Sequence, residues 1–390
     1  MEDYFNYTTP QVKKGLLNTI DKMKIYAHGE DPKIFDLIDF EDDICFGDPL
    51  LVSHFFAKHN KRETMPVRDL LIGYSKNSTT VSPNHFNIFY ESYIPNVGYF
   101  NKNTVQSDIS FQIEVKDFCF QKRDQFKLKG TNIEIYQTVP ELLEFQFISN
   151  IKNNEISIDP KFIQLLTKEK ISFIEKAFEV MKSLLPQYCE QILLIARGIM
   201  LFQSNSEYLV SFASRVSPGV SYINVQKKDE LIFFIVELIH QFGHNIFYKI
   251  LENGTQYFKV NPDIKLRDLN GNSNENRSLY SAFHGLFTTT KVAYGLEILL
   301  KNLDLFTLAE QHEIIGRFVD NKRRYRTGLE KIDFNSVFTQ EGIILYTILD
   351  EECNQIYERN KEYWGGLDVK NQVFVYNHSL FLKDNPQLSL

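Results

Sequence analysis

The sequence predicts an α+β protein. A mixed region containing an antiparallel, β-rich part occupies residues 1–150, and a mainly helical domain occupies 151–390. Three observations point there. Between about 87 and 136, polar and apolar residues alternate with the period of two that a sheet solvated on one face requires. From Pro160 onward, apolar residues recur at helical spacing in one segment after another. Between them lies the polar run Asn150 to Asp159, which marks the expected boundary.

Taken in order, residues 12–26, 33–40 and 53–61 have helical periodicity. Strands are expected over 87–94 and 109–120, and a hairpin over 126–136 turns at Gly130-Thr131-Asn132. A helix fills 162–185 and stops before Pro186. The apolar stretch 189–201 leads into a strand. Strands at 208–212 and 220–225 flank a Ser/Pro/Gly turn that contains Ser211, Ser214 and Arg215. Asp229 is a candidate cap for a buried helix reaching about 251. A polar loop over 261–276 precedes a second apolar helix over 278–302. Helices at 306–331 and 335–362 follow, and an irregular tail is expected after them.

A net charge of −7 and a pI near 5.8 argue against a nucleic-acid partner. Cys45, Cys119, Cys189 and Cys353 are widely spaced, with no C-x-x-C pair, as in a chain with buried free thiols. The acidic start shows no signal-peptide pattern, and apolar runs such as 231–239 are too short to span a bilayer. A cytoplasmic protein with no membrane partner is expected.

Chemistry concentrates in Glu237-Leu-Ile-His240-Gln241-Phe-Gly243-His244. Histidines four apart share one helix face, so both imidazoles can reach one metal ion. The pattern is H-E-x-x-H with Gln241 in place of the glutamate. That glutamate is the base that deprotonates metal-bound water in hydrolases, and an amide cannot do this. The metal pair is kept and hydrolysis is disabled. Gln241 can still orient a ligand or water by hydrogen bonding. A pair of histidines packed in a core is the plainer explanation. Against it stand the desolvation of two imidazoles on one apolar helix and Gly243 between them. A third histidine, His284, also lies in the next apolar helix. Asp263 is the alternative third ligand, and Glu237 is a candidate acceptor for an imidazole N–H.

The segment 162–300 resembles the HExxH-type peptide β-hydroxylases of ribosomal-peptide natural product pathways. Their order is a helix, the Ser211-to-Gly219 turn, a strand, the His240/His244 helix, and an arginine (Arg277) followed by His284-Gly285. The resemblance implies Fe(II) held by His240, His244 and His284, with 2-oxoglutarate as co-substrate and a precursor peptide as substrate. It implies hydroxylation of a peptide side-chain carbon; residues 1–150 lie outside the resemblance, and their β-rich composition alone suggests a place for peptide docking by strand addition. The distal carboxylate of 2-oxoglutarate needs a cation. Arg277 comes first, Arg215 second with Ser214 beside it, and Arg323, Arg324 and Arg326 fit a solvated helix end better. The alternative is a zinc-peptidase relative that has lost its base and acts as a binding protein.

Overall fold

Helix predominates and the strands are short in the computed structural model, which describes residues 2–76, 92–102, 120–123, 125–147, 159–205, 209–325, 329–373 and 375–388. The chain forms two compact units interleaved along the sequence. The first is residues 1–15, 172–194 and 226–390; the second is 16–171 and 195–225. The units therefore do not follow a single cut near 150. Helices of seven residues or more are numbered here; α1 (Glu2–Glu30) and α3 (Pro160–Leu184) each run from one unit into the other.

In the second unit, Asp48 caps α2 (Pro49–His59), its carboxylate accepting from the Leu50 amide at 2.7 Å. Strands β1 (Ser92–Ile94), β2 (Gly98–Lys102) and β3 (Phe120–Arg123) form an antiparallel sheet, with Tyr93 opposite Tyr99. A second sheet has the order β4-β5-β7-β6, from β4 (Glu134–Tyr136), β5 (Gly198–Phe202), β6 (Phe212–Ala213) and β7 (Val220–Asn224). β4 and β7 flank β5 in parallel, and only β6 is antiparallel. The turn at Gly130 forms as expected, with φ +70° and the Leu128 amide donating to the Ile133 carbonyl at 2.8 Å. The strand after it keeps the hairpin, with Lys127 opposite Glu134 in an antiparallel bridge and the Ile135 amide donating to the Phe126 carbonyl at 2.7 Å, and its other edge pairs with β5. All three residues of β4 are buried, so it is not solvated on one face. Most of the strand expected over 109–120, and 87–91 of the one before it, lie outside the described residues.

The first unit is built on α5 (Leu231–Glu252) and α6 (Leu279–Leu300), which pack along each other. α7 (Leu308–Arg324) and α8 (Gln340–Arg359) pack on α6, α4 (Pro186–Ile195) reaches α5 through Tyr188, and α9 (His378–Asp384) packs on α7. α5 is apolar nearly all round because it is enclosed nearly all round. Two glycines let helices approach it. A Cβ at Gly295 would lie 2.4 Å from Ile239 Cδ1, and one at Gly15 only 1.7 Å from the Lys249 carbonyl oxygen. Ser278 caps α6 through the Ser281 amide, and Thr307 and Glu310 form a capping box on α7.

Several expectations are corrected. α1 extends well beyond 12–26 in both directions, with Pro10 inside it. Residues 186–195 are a helix before the strand begins. Asp229 does not cap α5: Glu230 holds that place, and the Asp229 carboxylate accepts from the Gln226 amide at 2.7 Å. The tail contains α9, capped by Asn377. By length and composition α5 could cross a bilayer, contrary to the reading of the run 231–239. In this fold 83% of its apolar window is buried inside protein, as in a core helix. Cys45, Cys189 and Cys353 are buried free thiols.

Candidate metal centre

From Leu231 to Ile250 every residue of α5 is buried except Glu237, His240 and His244. Their spacing of three and four places them on one stripe. Half-buried His284 and Gly285 lie on α6. His244 and His284 meet across the α5–α6 contact, with Nδ1 of one 2.5 Å from Nε2 of the other and ring centroids 4.1 Å apart. The His240 and His244 rings are 4.7 Å apart. The three imidazoles singled out in the sequence are thus brought together.

The local sequence explains this placement. Phe247, one turn after His244, stacks on the His284 ring at 5.1 Å, and Tyr248 and Tyr280 lie 5.2 and 5.4 Å from it. Gly243 faces Tyr188 and α6: a Cβ there would be 3.3 Å from Tyr188 Oη and 3.6 Å from Thr288 Cγ2. It serves helix packing. Tyr188 donates to the Ile239 carbonyl at 2.5 Å, which fixes the turn that carries His240.

Burial lowers the pKa of His240, with the Glu237 charge opposing and Arg324 adding to the drop. His244 is pushed well below its ordinary value by burial, then by His284 and His240. Neutral imidazoles have lone pairs to offer a metal. Two nitrogens on one tetrahedral ion at about 2.0–2.1 Å stand about 3.3 Å apart. The 2.5 Å contact must therefore open by somewhat under 1 Å, a small ring rotation. Among the described residues, no three His, Cys, Asp or Glu side chains are already arranged as a metal cage. The donor chemistry fits a first-row transition ion; the rings have to turn to meet it.

Compared with known proteins, the chain matches no family model and no curated sequence. What the centre can do must be read from its residues.

The other candidates are placed as follows. Gln241 is buried, donating from Nε2 to Glu237 Oε2 at 3.1 Å. Arg277 is held by Glu275 through two charge-assisted hydrogen bonds, 2.9 and 2.6 Å. Asp263 is exposed on its loop. Arg215 and Ser214 belong to the second unit, where Ser214 Oγ accepts from the Val216 amide at 3.4 Å, a turn contact. Arg324 pairs with Asp320 at 2.7 Å, and its charge reaches His240. The sequence reading missed Lys291. It is fully buried, with no hydrogen-bond partner for Nζ, 3.1 Å from the Tyr4 ring centroid and 4.4 Å from that of Phe5. One signal was available: a lone lysine in an apolar helix, seven residues after His284.

Proposed function

We propose that the first unit is an Fe(II)- and 2-oxoglutarate-dependent oxygenase, with His240, His244 and His284 as metal ligands and a side-chain carbon of a ribosomally made precursor peptide as its target. The observation that carries the reading is the approach of three imidazoles from two packed helices, with an amide where a hydrolase keeps its base. Bound there, Fe(II) would supply O2 activation coupled to oxidative decarboxylation of 2-oxoglutarate and hydroxylation of a C–H bond.

The chain's own part is to bind and orient. Burial keeps His240 and His244 neutral, the ligating state. Phe247, Tyr248 and Tyr280 restrict the His284 ring. A dicarboxylate co-substrate needs a cation. Both arginines are held by a carboxylate, Arg277 by Glu275 and Arg324 by Asp320, and of the two it is the Arg324 charge that reaches His240. We therefore assign Arg324 the co-substrate carboxylate. The second reading is a zinc-binding relative of metallopeptidases that has lost catalysis; the all-imidazole donor set suits Zn(II) equally.

The test is succinate formation with Fe(II), ascorbate and 2-oxoglutarate. Wild type should form it, His240→Ala should not, and Arg324→Ala should raise KM for 2-oxoglutarate about tenfold, more than Arg277→Ala does. No succinate from a protein that holds zinc tightly would favour the second reading.

A further inference from the structure

Away from the histidines, the first unit buries an amine that no acceptor meets. Lys291 on α6 is fully buried, and its Nζ has no hydrogen-bond partner. Rings enclose it instead: Nζ lies 3.1 Å from the Tyr4 centroid, 4.4 Å from Phe5, 5.0 Å from Tyr188 and 5.9 Å from Phe287. Two more polar atoms of the same interior lack a partner, Tyr4 Oη and Gln191 Oε1. Gln191 lies one turn along α4 from Tyr188. Its Nε2 donates to Thr8 Oγ1 at 2.9 Å and Thr9 Oγ1 at 2.8 Å, and Thr8 donates to the Tyr4 carbonyl at 2.8 Å. Whichever way that amide is turned, one of its atoms is left unpaired. Three buried orphans in one place are what a small polar guest would satisfy.

An ammonium in this box would forgo three hydrogen bonds, which contact with ring faces does not replace. Burial holds the amine well below its ordinary pKa, against the draw of Glu352 on α8, whose carboxylate accepts from Arg359 at 3.4 Å. A neutral lysine in an apolar site is the form that attacks carbonyl carbon. Two of the four rings, Tyr4 and Phe5, stand in the first turn of α1 beside exposed Glu2 and Asp3. Fraying, to which helix ends are prone, therefore opens the box from one side. We propose that Lys291 is a covalent carbonyl site, its amine forming an imine with a small hydroxyaldehyde admitted past the first turn of α1. Nζ bonds to the carbonyl carbon, the carbon–oxygen bond breaks, and the oxygen leaves as water with both amine protons. The Tyr4 hydroxyl passes those protons, and Gln191 Oε1 accepts from the guest's hydroxyl. The step needs no oxidant or reductant. It is independent of the metal reading and survives that reading's failure.

The probe is limiting glycolaldehyde with cyanoborohydride, which reduces and so traps the imine, on the full chain at pH 7. Peptide mapping by mass spectrometry then ranks the lysines. Each unit by which an amine's pKa is lowered gives tenfold more of the reactive form, so Lys291 should be labelled at least about tenfold ahead of an open lysine. Lys370, whose side chain is 93% exposed, is the reference. Tyr4→Phe keeps the ring and should keep the urea midpoint, yet slow labelling at 291 about tenfold or more through loss of the proton carrier. Lys370 labelled ahead of Lys291, or label at 291 that appears only in urea, would overturn the site. An unchanged rate in Tyr4→Phe would overturn the role given to that hydroxyl and leave the imine site standing.

Discussion

Glu134 offers a prediction with a definite sign. On β4 it is 4% exposed, accepting from Tyr93 Oη at 2.5 Å, Tyr99 Oη at 2.8 Å and Gln125 Nε2 at 2.7 Å. Burial raises its pKa against the two phenols, with Asp48 adding to the rise and Lys127 opposing it, and the result is about 7 instead of 4.5. The folded chain thus keeps a proton that the unfolded chain releases between these values. The resulting stability is fully present below about 4.5 and is lost as pH rises through about 7. A difference of roughly 2.5 units corresponds to ~3 kcal/mol at ~1.36 kcal/mol per unit. Glu134→Gln stays neutral throughout and removes this slope. Buried histidines slope the other way below about 6.5, their stability being lost as pH falls, so the quantity to follow is the wild-type minus variant difference. Urea denaturation by circular dichroism from pH 4.5 to 8, with amide exchange over 92–99, should show that difference fall by about 3 kcal/mol. A flat difference, or one that rises with pH as for an ordinary paired carboxylate, would refute the reasoning.

Two further predictions concern the first unit. Burial holds the Lys291 amine well below its ordinary pKa, so the stability linked to it is present above about 10.5 and lost as pH falls toward the lowered value. Lys291→Met should raise stability at pH 7 by about 1–3 kcal/mol and flatten the alkaline part of the profile; a loss of stability would show that the surrounding rings more than offset the desolvation. Gly15→Ala should cost roughly 3 kcal/mol or more, since its Cβ would lie 1.7 Å from a backbone oxygen of α5; a melting temperature within a degree of wild type would contradict that packing.

How much of this was legible in the sequence depended on whether the signal was local. α5 and α6 carry their own apolar periodicity, and Ser278 its own cap, so both helices and the convergence of His240, His244 and His284 could be expected from the sequence. The parallel pairing of β4 with β5 could not: it joins Glu134 to Gly198 across 64 positions, and nothing in either strand names its partner. The polar character of Glu134 even suggested a solvated face, because its buried phenol partners come from other strands. Asp229 has the residue type of a cap, but its carboxylate turned to the Gln226 amide instead. Arg277 was favoured by its position in the chain, and only the structure shows Glu275 two residues earlier closing on it.

The most direct test is anaerobic titration of the chain with Fe(II) and 2-oxoglutarate, watching for the weak visible charge-transfer band of a chelated complex. The band should appear with wild type and be lost in both His240→Ala and His284→Ala. No band from a folded wild-type protein, or a band that survives both substitutions, would contradict the three-histidine centre.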